Sequence, residues 1–449
     1  MTYSEALSFL GASRFFGMKP GLERMRRVAA QMNGPQCKLR FIHLAGTNGK
    51  GSTAAFCESC LRVSGRRTGL YTSPHLVSVR ERIQVNRVPI SEDDFALGMQ
   101  TIRQALKSLD ENEATFFEIM TLLALWYFER EKVDIVVWET GLGGRLDATN
   151  IVHPGVCIIT NIGLDHQQYL GETLREIASE KAGIIKAGVP VVSAVTEDEA
   201  EDVIRERARE LGCELSLIRR DFKLEDLGLR QGKQLARIDG HDYELGLLGA
   251  HQIGNAACAI EALRLWSHRS SGQPIPTEND LARGLAETMW PGRFEILSEK
   301  PLIVLDGAHN STGMKCLVKA WQVFLQSRSV TGTLGTEART HLVFASVADK
   351  DIAEMAQLLR PLARRVSLVR LANERSADPA VLAPAFSGLP CALYNSVTEL
   401  WQSLVNVEPE EPILITGSLF LVGEILARRQ GHAEEYRLNE RLEKPAATR

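Results

Sequence analysis

The stretch that decides the fold is residues 39–53, LRFIHLAGTNGKGST, where an apolar segment runs directly into a glycine-rich turn. Residues 39–45 predict a buried strand, and residues 53–64 predict a helix. Glycines in the turn let backbone N–H groups approach an anion, the helix N-terminus attracts negative charge, and Lys50 adds a positive one. The segment therefore predicts a loop that binds the phosphates of a nucleotide.

This loop departs from the common phosphate-binding pattern G-x-x-x-x-G-K-[ST]. Leu44 stands where the first glycine is expected, and Gly51 stands where serine or threonine usually follows the lysine. A glycine-rich turn with a chance lysine is the alternative, but the preceding strand and the following helix favour phosphate binding. The candidate nucleotide-binding residues of the loop are Gly46, Thr47, Asn48, Gly49, Lys50, Gly51 and Ser52.

Short apolar segments alternate with longer helical ones, which predicts an α/β fold with a mostly parallel sheet covered on both faces. The strand predictions of the first part are residues 39–45, 134–139, 156–161 and 190–194. The helix predictions there are residues 93–108, 117–130, 174–185 and 252–267. Residues 215–248 predict a small antiparallel addition, and residues 270–276 predict a loop.

The alternation restarts near residues 290–292, which predicts a domain boundary. Strands are expected at residues 302–305, 341–345, 365–369, 392–394 and 413–416, and a surface loop at residues 327–339. We therefore expect a phosphate-loop domain over residues 1–292. A smaller, Rossmann-like α/β domain is expected over residues 293–449.

The bulk composition excludes several functions. The chain has 449 residues and a net charge of −4, so no basic excess argues for nucleic-acid binding. Its most apolar run, residues 119–128, is too short to cross a bilayer, and the N-terminus lacks the pattern of a signal peptide. Eight scattered cysteines fit a reducing compartment. We expect a cytoplasmic monomer that binds neither nucleic acid nor a membrane.

Two further motifs begin where predicted strands end, and ligands of open α/β sheets lie beyond the carboxyl ends of the strands. WETGLGGRLDATN, at residues 138–150, places Glu139 where a carboxylate would hold a metal ion against nucleotide phosphates. A structural carboxylate is the alternative. TNIGLDH, at residues 160–166, ends in His166, and a lone histidine is more often structural than metal-binding.

Several motifs together resemble the folate branch of the Mur-type ligases. They are GTNGKGS at 46–52, YTSPHL at 71–76 followed by ERI, ETGLGGRLDATN at 139–150, NIGLDH at 161–166, DGAHN at 306–310 and TGSLFLVGE at 416–424. The resemblance extends over most of the chain. It implies an ATP-dependent ligase that adds L-glutamate to dihydropteroate, to tetrahydrofolate or to both.

The resemblance also implies two magnesium ions. Ser73 and Glu139 would hold the first ion and His166 the second, although imidazole is an unusual magnesium ligand. Lys181, in EKAGI at residues 180–184, would react with CO₂ to give a carbamate that helps to hold the second ion. Composition alone supports only a solvated helix lysine at this position.

Contacts to ATP and to the acid substrate follow from the same resemblance. Asn255 and Arg293 would contact ATP, with a helix cap as the competing interpretation for Asn255, and Asp306 would bind the ribose. His309 would be an active-site neighbour. The candidate substrate-binding residues are Thr115, Phe116, Phe117 and Glu118 for the pterin ring, Asp147 for dihydropteroate, and Ser418 with residues 344–351 for glutamate. For residues 115–118, a capping threonine followed by core aromatics is the alternative.

The implied reaction has two steps. A substrate carboxylate attacks the γ-phosphate of ATP to form an acyl phosphate, and the amino group of glutamate then displaces phosphate. The reactants are all anionic, so Lys50, Arg293 and two magnesium ions would offset their repulsion. Either His309 or a phosphate oxygen would take the proton of the amine. A cell-wall amino-acid ligase and a phosphate-loop nucleotidase without ligase activity are the alternative functions.

Overall fold

The computed structural model describes residues 1–16, 21–111, 113–269, 276–330, 339–404, 411–431 and 438. They form two α/β domains that face each other across a cleft. The N-terminal domain contains an eight-stranded sheet and a three-stranded sheet, and the C-terminal domain contains a six-stranded sheet. The predicted fold class is confirmed. The division at residue 292 stays a prediction.

The large sheet is parallel through six adjacent strands and antiparallel at one edge, in the order β4-β3-β2-β5-β1-β6-β7-β8. Its strands are β1 (Phe41–Ala45), β2 (Thr68–Tyr71), β3 (Ile83–Val85), β4 (Val88–Pro89), β5 (Ile135–Glu139), β6 (Val156–Ile159), β7 (Val191–Ser193) and β8 (Leu215–Leu217). The antiparallel sheet predicted within residues 215–248 is formed by β9 (Leu224–Arg230), β10 (Lys233–Ile238) and β11 (His241–Leu245).

Eleven α-helices cover these sheets in the described part of the N-terminal domain. They are α1 (Tyr3–Ala12), α2 (Glu23–Gln31), α3 (Lys50–Val63), α4 (Glu92–Ser108), α5 (Phe116–Arg130), α6 (Gln167–Leu170), α7 (Leu174–Ala182), α8 (Asp198–Glu210), α9 (Ile218–Asp221), α10 (His251–Arg269) and α11 (Glu278–Glu287). Short 3-10 helices span Ser13–Phe16, Pro35–Cys37, Val79–Arg82 and Ala148–Ile151.

Alternate residues of the central strands face opposite sides of the large sheet, and each side carries its own core. In β1, Phe41 lies in one core, whereas Ile42 and Leu44 lie in the other. The Phe41 ring packs edge-on against Trp138 of β5, with ring centroids 5.5 Å apart. Because both faces are covered, β1 is an almost continuous apolar run. Full burial of each such side chain contributes about 1.5–3 kcal/mol.

The C-terminal sheet is parallel except for its first strand, which pairs antiparallel with the second. Its strands are β12 (Glu295–Glu299), β13 (Leu302–Leu305), β14 (Thr340–Phe344), β15 (Ala363–Val369), β16 (Cys391–Tyr394) and β17 (Ile413–Thr416). The helices are α12 (Ser311–Val330), α13 (Ile352–Leu359), α14 (Pro379–Leu382), α15 (Val397–Leu404) and α16 (Leu419–Gln430), with 3-10 turns at Arg360–Leu362 and Ala383–Phe386.

The structure differs from the sequence expectations in two places. The antiparallel edge β2–β4 was not predicted, because its strands are short and broken by polar residues. The loop expected from residue 327 is wrong at its start, since α12 continues to Val330. Residues 331–338 lie outside the described residues, as do residues 270–275 of the other predicted loop. Among the described helices, none is long and apolar enough to cross a membrane.

Candidate active site

A cavity of about 640 Å³ lies in the cleft between the domains. Its floor is the carboxyl edge of the large sheet, where β5, β1 and β6 lie side by side and each passes into a loop. The opposite wall comes from the C-terminal domain, through the loops that follow β13 and β17. The cleft therefore has the position expected for ligand binding in this fold class.

The phosphate loop, residues 46–52, lines the cavity throughout. Gly46 has a φ of 155°, and Gly49 has a φ of 84° at the start of α3. A Cβ atom on Gly46 would lie 1.9 Å from Thr160 Oγ1, and one on Gly49 would lie 2.6 Å from Asn255 Oδ1. Only glycine fits here without displacing a neighbour. The first turn of α3 thus faces the cavity, where its N–H groups offer a site for an anion.

Two lysines converge on one carbonyl oxygen of this loop. Lys50 Nζ lies 3.0 Å, and Lys181 Nζ 2.9 Å, from the oxygen of Gly46. Lys181 is only 3% exposed, so the solvated helix lysine considered from composition is wrong. Burial, followed by the charge of Lys50, lowers the pKa of Lys181 to about 7. A large share of this side chain is therefore a neutral amine near pH 7.

Glu139 lies beside Lys50, at the end of β5. Its Oε1 is 4.0 Å from Lys50 Nζ, and its Oε2 accepts the Ser73 N–H at 3.3 Å. Burial raises the pKa of Glu139 to about 7, although Lys50 and the Ser73 N–H oppose the shift. A buried carboxylate with such distant partners is incompletely compensated, and a cation at this point would stabilise its ionised form.

The segment after β6 brings Asp165 and His166 against the C-terminal domain. Lys350 Nζ lies 2.5 Å from Asp165 Oδ1, and Asn310 Nδ2 donates to Asp165 Oδ2 at 3.0 Å. His166 Nε2 lies 3.9 Å from the Asp165 carboxylate. Burial lowers the pKa of His166 to about 4 although Asp165 opposes the shift, so the ring is neutral and able to accept a metal ion.

All four candidate metal ligands, namely Ser73, Glu139, His166 and Lys181, line the same cavity. Within the described ranges, however, no three histidine, cysteine, aspartate or glutamate side chains form a preformed metal site. Magnesium keeps several water or phosphate oxygens in its coordination shell. A magnesium ion held here would therefore take water or phosphate oxygens among its ligands.

The C-terminal domain contributes Arg293 and Asp306 to the cavity. Asp306 accepts the N–H groups of Phe294 at 2.9 Å and Ala308 at 2.8 Å, so it organises the turn that carries it. Burial raises the pKa of Asp306, while Arg293 and these N–H groups oppose the shift.

His309 lines the cavity, and one of its two ring nitrogens forms a hydrogen bond with the backbone. Its Nδ1 lies 2.8 Å from the carbonyl oxygen of Gly307, so Nδ1 carries the hydrogen and Nε2 remains an acceptor. Burial, together with the charge of Lys350, lowers the pKa of His309 to about 4. The ring is therefore neutral, and Nε2 can accept a proton or a hydrogen bond.

Asn255 lies inside α10, one turn from its start, so the competing interpretation as a helix cap is wrong. Its Nδ2 donates to Gln252 Oε1 at 2.9 Å, and its carboxamide packs against Gly49 of the phosphate loop. With Gln252, Asn255 lines the cavity between the phosphate loop and α12. The structure therefore brings this residue to the loop of residues 46–52, and its contact with ATP stays a prediction.

Asp147 organises the glycine loop that follows β5. Its Oδ2 accepts the N–H groups of Gly141 at 2.9 Å and Leu142 at 2.8 Å. Its Oδ1 accepts the Thr149 N–H at 3.0 Å and the Thr149 hydroxyl at 2.5 Å. Residues 141–143 line the cavity, whereas the carboxylate behind them is occupied by these four donors.

The sequence matches family models for the Mur ligase middle domain over residues 44–263 and for the Mur ligase glutamate ligase domain over residues 292–419. A dihydrofolate synthase/folylpolyglutamate synthase of Bacillus subtilis is 37% identical over 95% of this chain and 99% of its own length. The chain belongs to the folate ligase branch of the Mur ligase family.

Solved folate ligases share its structure. Folylpolyglutamate synthase of Thermotoga maritima superposes with a TM-score of 0.82 at 32% identity, over 97% of this chain and 98% of that one. E. coli FolC, in complex with DHPP and ADP, has a TM-score of 0.82 at 30% identity, over 96% and 98% of the two chains. As a folate ligase, the chain is an ATP-dependent ligase.

The segment TFFE, residues 115–118, begins α5 as a capping box in this folate ligase. Thr115 Oγ1 accepts the Glu118 N–H at 3.2 Å, and Glu118 Oε2 accepts the Thr115 N–H at 2.8 Å. Glu118 also pairs with Arg24 at 2.9 Å, and Phe116 is buried in the core. Phe117 alone of these four lies against the glycine loop, at Gly141. The pterin role of the segment stays a prediction.

Two cationic residues of the cavity, Arg82 and Arg375, had no role assigned from the sequence, whereas Lys350 belongs to residues 344–351, which were predicted to bind glutamate. Arg82 is buried, with its Nε donating to His75 Nδ1 at 2.9 Å and its guanidinium 5.1 Å from the Phe116 ring centre. Arg82 belongs to the ERI motif at residues 81–83, so the sequence resemblance could have pointed to it. Arg375 belongs to no quoted motif, and only the fold brings it to the cleft.

Asp147→Ala should impair this folate ligase mainly by loosening the glycine loop. Loss of a carboxylate that binds four donors, in two buried and two part-buried hydrogen bonds, is expected to lower stability by about 1–3 kcal/mol, because those donors lose their partner. If Asp147 also contacts the pterin, kcat/KM for dihydropteroate should fall more than that for tetrahydrofolate. Urea unfolding and the two kcat/KM values measure the two effects, with Asp147→Asn as the isosteric control. Equal losses for both acids would contradict a dedicated pterin contact.

Proposed function

We propose that this folate ligase adds L-glutamate both to dihydropteroate and to tetrahydrofolate, through an acyl phosphate. The observation that carries the proposal is the cleft itself. A phosphate loop, an incompletely compensated carboxylate and several cationic side chains of both domains face one another there. Such a site suits a reaction in which three anions must meet.

ATP would occupy the cleft with its phosphates on residues 46–52. Lys50 supplies a positive charge at this point, and Arg293 approaches from the other domain. Asn255 and Asp306, which also line the cavity, would contact the remainder of the nucleotide. Because the contacts come from both domains, closing of the cleft would complete the site.

We further propose two magnesium ions. Ser73 and Glu139 would hold one, and His166 with a carbamate on Lys181 would hold the other. The residues fit, because Glu139 is buried with Lys50 Nζ 4.0 Å from its Oε1, too far for a hydrogen bond, and His166 is neutral. When bound, magnesium would neutralise phosphate charge.

Glu139→Gln is expected to raise the magnesium concentration required for half-maximal activity by about tenfold or more, because the neutral amide removes the negative charge that attracts the ion. A magnesium titration of initial rates at saturating ATP measures this effect. Glu129→Gln, in an exposed ion pair with Lys38 outside the cavity, is the matched control. An unchanged magnesium requirement in Glu139→Gln would contradict the metal role.

The carbamate on Lys181 is supported by the state of the amine. Only a neutral amine attacks CO₂, and burial lowers the pKa of Lys181 to about 7. Carbamylation would replace a cation that repels Lys50 by an anion that attracts it. It would also remove the positive charge that the protonated fraction of Lys181 places beside Lys50 at the Gly46 oxygen.

In the first step, the substrate carboxylate would attack the γ-phosphate and ADP would leave, while Lys50 and Arg293 stabilise the charge that develops on the transferred group. In the second step, the amino group of glutamate would attack the carbonyl carbon of the acyl phosphate, the C–O bond to phosphate would break and phosphate would leave. His309 Nε2, which faces the cavity as an acceptor, or a phosphate oxygen would take its proton.

Glutamate would enter at the C-terminal wall. Lys350, Arg375 and Ser418 line this part of the cavity and can bind carboxylates. The pterin would lie on the opposite side, near Phe117 and residues 141–143. An aromatic face and exposed backbone groups suit a flat heterocycle.

Phosphate release from ATP tests the proposal. It should require both a pterin acid and glutamate, and mass spectrometry should show one added glutamate on each of dihydropteroate and tetrahydrofolate. Release without either substrate would favour a nucleotidase, and release only with a cell-wall precursor would favour the other Mur ligases. A single active acid would limit the proposal to one activity. The monomeric state and the cytoplasmic location stay predictions.

A further inference from the structure

The carboxamide of Asn310 forms the centre of a contact between the domains. Its Nδ2 donates to Asn48 Oδ1 at 3.1 Å and to Asp165 Oδ2 at 3.0 Å. Its Oδ1 accepts from Asn48 Nδ2 at 3.2 Å and from the Gly313 N–H at 2.8 Å. All donor and acceptor positions of the amide are therefore used.

These partners have separate tasks. The bond to Gly313 is a helix cap inside the C-terminal domain, at the start of α12. The bonds to Asn48 and Asp165 cross the cleft to the phosphate loop and to the loop after β6. Lys350, the second cross-domain partner of Asp165, is 11% exposed and lies 2.5 Å from it. We name Asn48, Asp165, Asn310 and Lys350 the interdomain clasp.

The clasp is independent of the contacts that shape the phosphate loop. The backbone N–H of Asn48 donates to Asn161 Oδ1 at 2.6 Å, and its carbonyl accepts the Thr160 hydroxyl at 2.7 Å. Both partners belong to the N-terminal domain, so the loop keeps its form without Asn310. These backbone contacts do not use the side chain of Asn48. That side chain links the loop to the C-terminal domain through its hydrogen bonds with Asn310.

We propose that Asn310 is a positioning residue that holds the cleft closed during the reaction by joining the phosphate loop to the C-terminal domain. Asn310 itself does not line the cavity, whereas Asp306 and His309 of the same loop do. Closure through Asn310 places these two side chains opposite the phosphates. The kinetic test of this inference rests on the proposed ligase function, whereas its scattering test does not.

Two substitutions separate the clasp from the helix cap. Asn310→Ser retains a capping oxygen and loses both donated hydrogen bonds. Asn310→Asp retains an equally good cap but places a carboxylate oxygen against Asp165 and Asn48 Oδ1, which repel it. A residue that only capped α12 would tolerate both changes. A clasp residue should tolerate serine better than aspartate.

We expect kcat to fall about tenfold in Asn310→Ser and about 100-fold in Asn310→Asp, while KM for ATP changes less than about threefold. Small-angle scattering with a non-hydrolysable ATP analogue and the pterin acid should show a larger radius of gyration in Asn310→Asp than in the wild type. Ser91→Ala, which removes an exposed cap of α4 far from the cleft, should lower the thermal midpoint without changing kcat.

Wild-type kcat in both Asn310 variants, or a smaller loss in Asn310→Asp than in Asn310→Ser, would overturn the proposal. So would a radius of gyration that is unchanged in Asn310→Asp. If the wild type released no phosphate in response to pterin acid and glutamate, the proposed function would fail instead. The scattering comparison would still test the clasp in that case.

Discussion

Replacing Lys50 by alanine should lower kcat by roughly 10³-fold and leave the protein folded. The ammonium group lies in the phosphate loop, where it would stabilise charge on the transferred phosphoryl group. Its present hydrogen bonds are to the carbonyl oxygens of Gly46 and Thr47, and the Gly46 oxygen keeps its second donor, Lys181. The fold therefore does not depend on Lys50. Rapid phosphate-release kinetics at saturating ATP measure the loss.

Lys38→Ala is the matched control for this prediction. Lys38 is half-exposed, pairs with Glu129 and lies outside the cavity, so its removal should leave kcat unchanged. Circular dichroism and the thermal midpoint should be unchanged in Lys50→Ala. Retention of more than about a tenth of wild-type kcat in Lys50→Ala would remove the phosphate loop from the proposed mechanism.

Lys181→Ala should lower kcat by about 10²-fold or more, and a small carboxylic acid such as acetate should restore part of the loss. The reason is that the proposed carbamate provides a negative oxygen ligand, which a carboxylate in the vacated space can replace. The fraction of wild-type enzyme that carries the carbamate should be larger above pH 7 than below it. With a pKa of about 7, about 90% of the amine is neutral at pH 8 but about 10% at pH 6.

Carbon NMR with labelled bicarbonate detects the carbamate directly, and Lys181→Ala supplies the baseline. Wild-type enzyme held at pH 6 without CO₂ should lose activity and regain it when bicarbonate is added at pH 8. Absence of the carbamate signal, together with no rescue by acetate, would show that Lys181 acts as an amine. Its role would then be the contact with the Gly46 oxygen.

The phosphate loop was predictable because its signal is contiguous. Strand β1, the glycine turn and helix α3 follow one another within residues 41–63, and each has its own local pattern. The position of Glu139 in the cavity was predictable for a related reason, whereas its metal role stays a prediction. Ligands of parallel sheets lie at the carboxyl ends of the strands. A residue at the end of a predicted strand is therefore expected at the ligand-binding edge of the sheet.

Asp147 shows where sequence patterns are insufficient. A carboxylate beside a glycine loop can either bind a ligand or bind the loop, and the residue type is the same in both cases. The four donors around Asp147 indicate the second task. Thr115 and Glu118 are similar, because their capping box satisfies the requirements of the helix whether or not a pterin lies nearby.

Composition, periodicity and motif spacing were enough for the α/β class, the outline of the three sheets and the strand, turn and helix of residues 41–63, because each depends on residues close together in the chain. Packing between distant segments decided the other features. They are the burial of Lys181, the hydrogen on His309 Nδ1, the position of Arg375 and the interdomain clasp. Asn310 meets Asp165 across 145 residues and Asn48 across 262. No local pattern carries such pairings, since they depend on how the two domains face each other across the cleft.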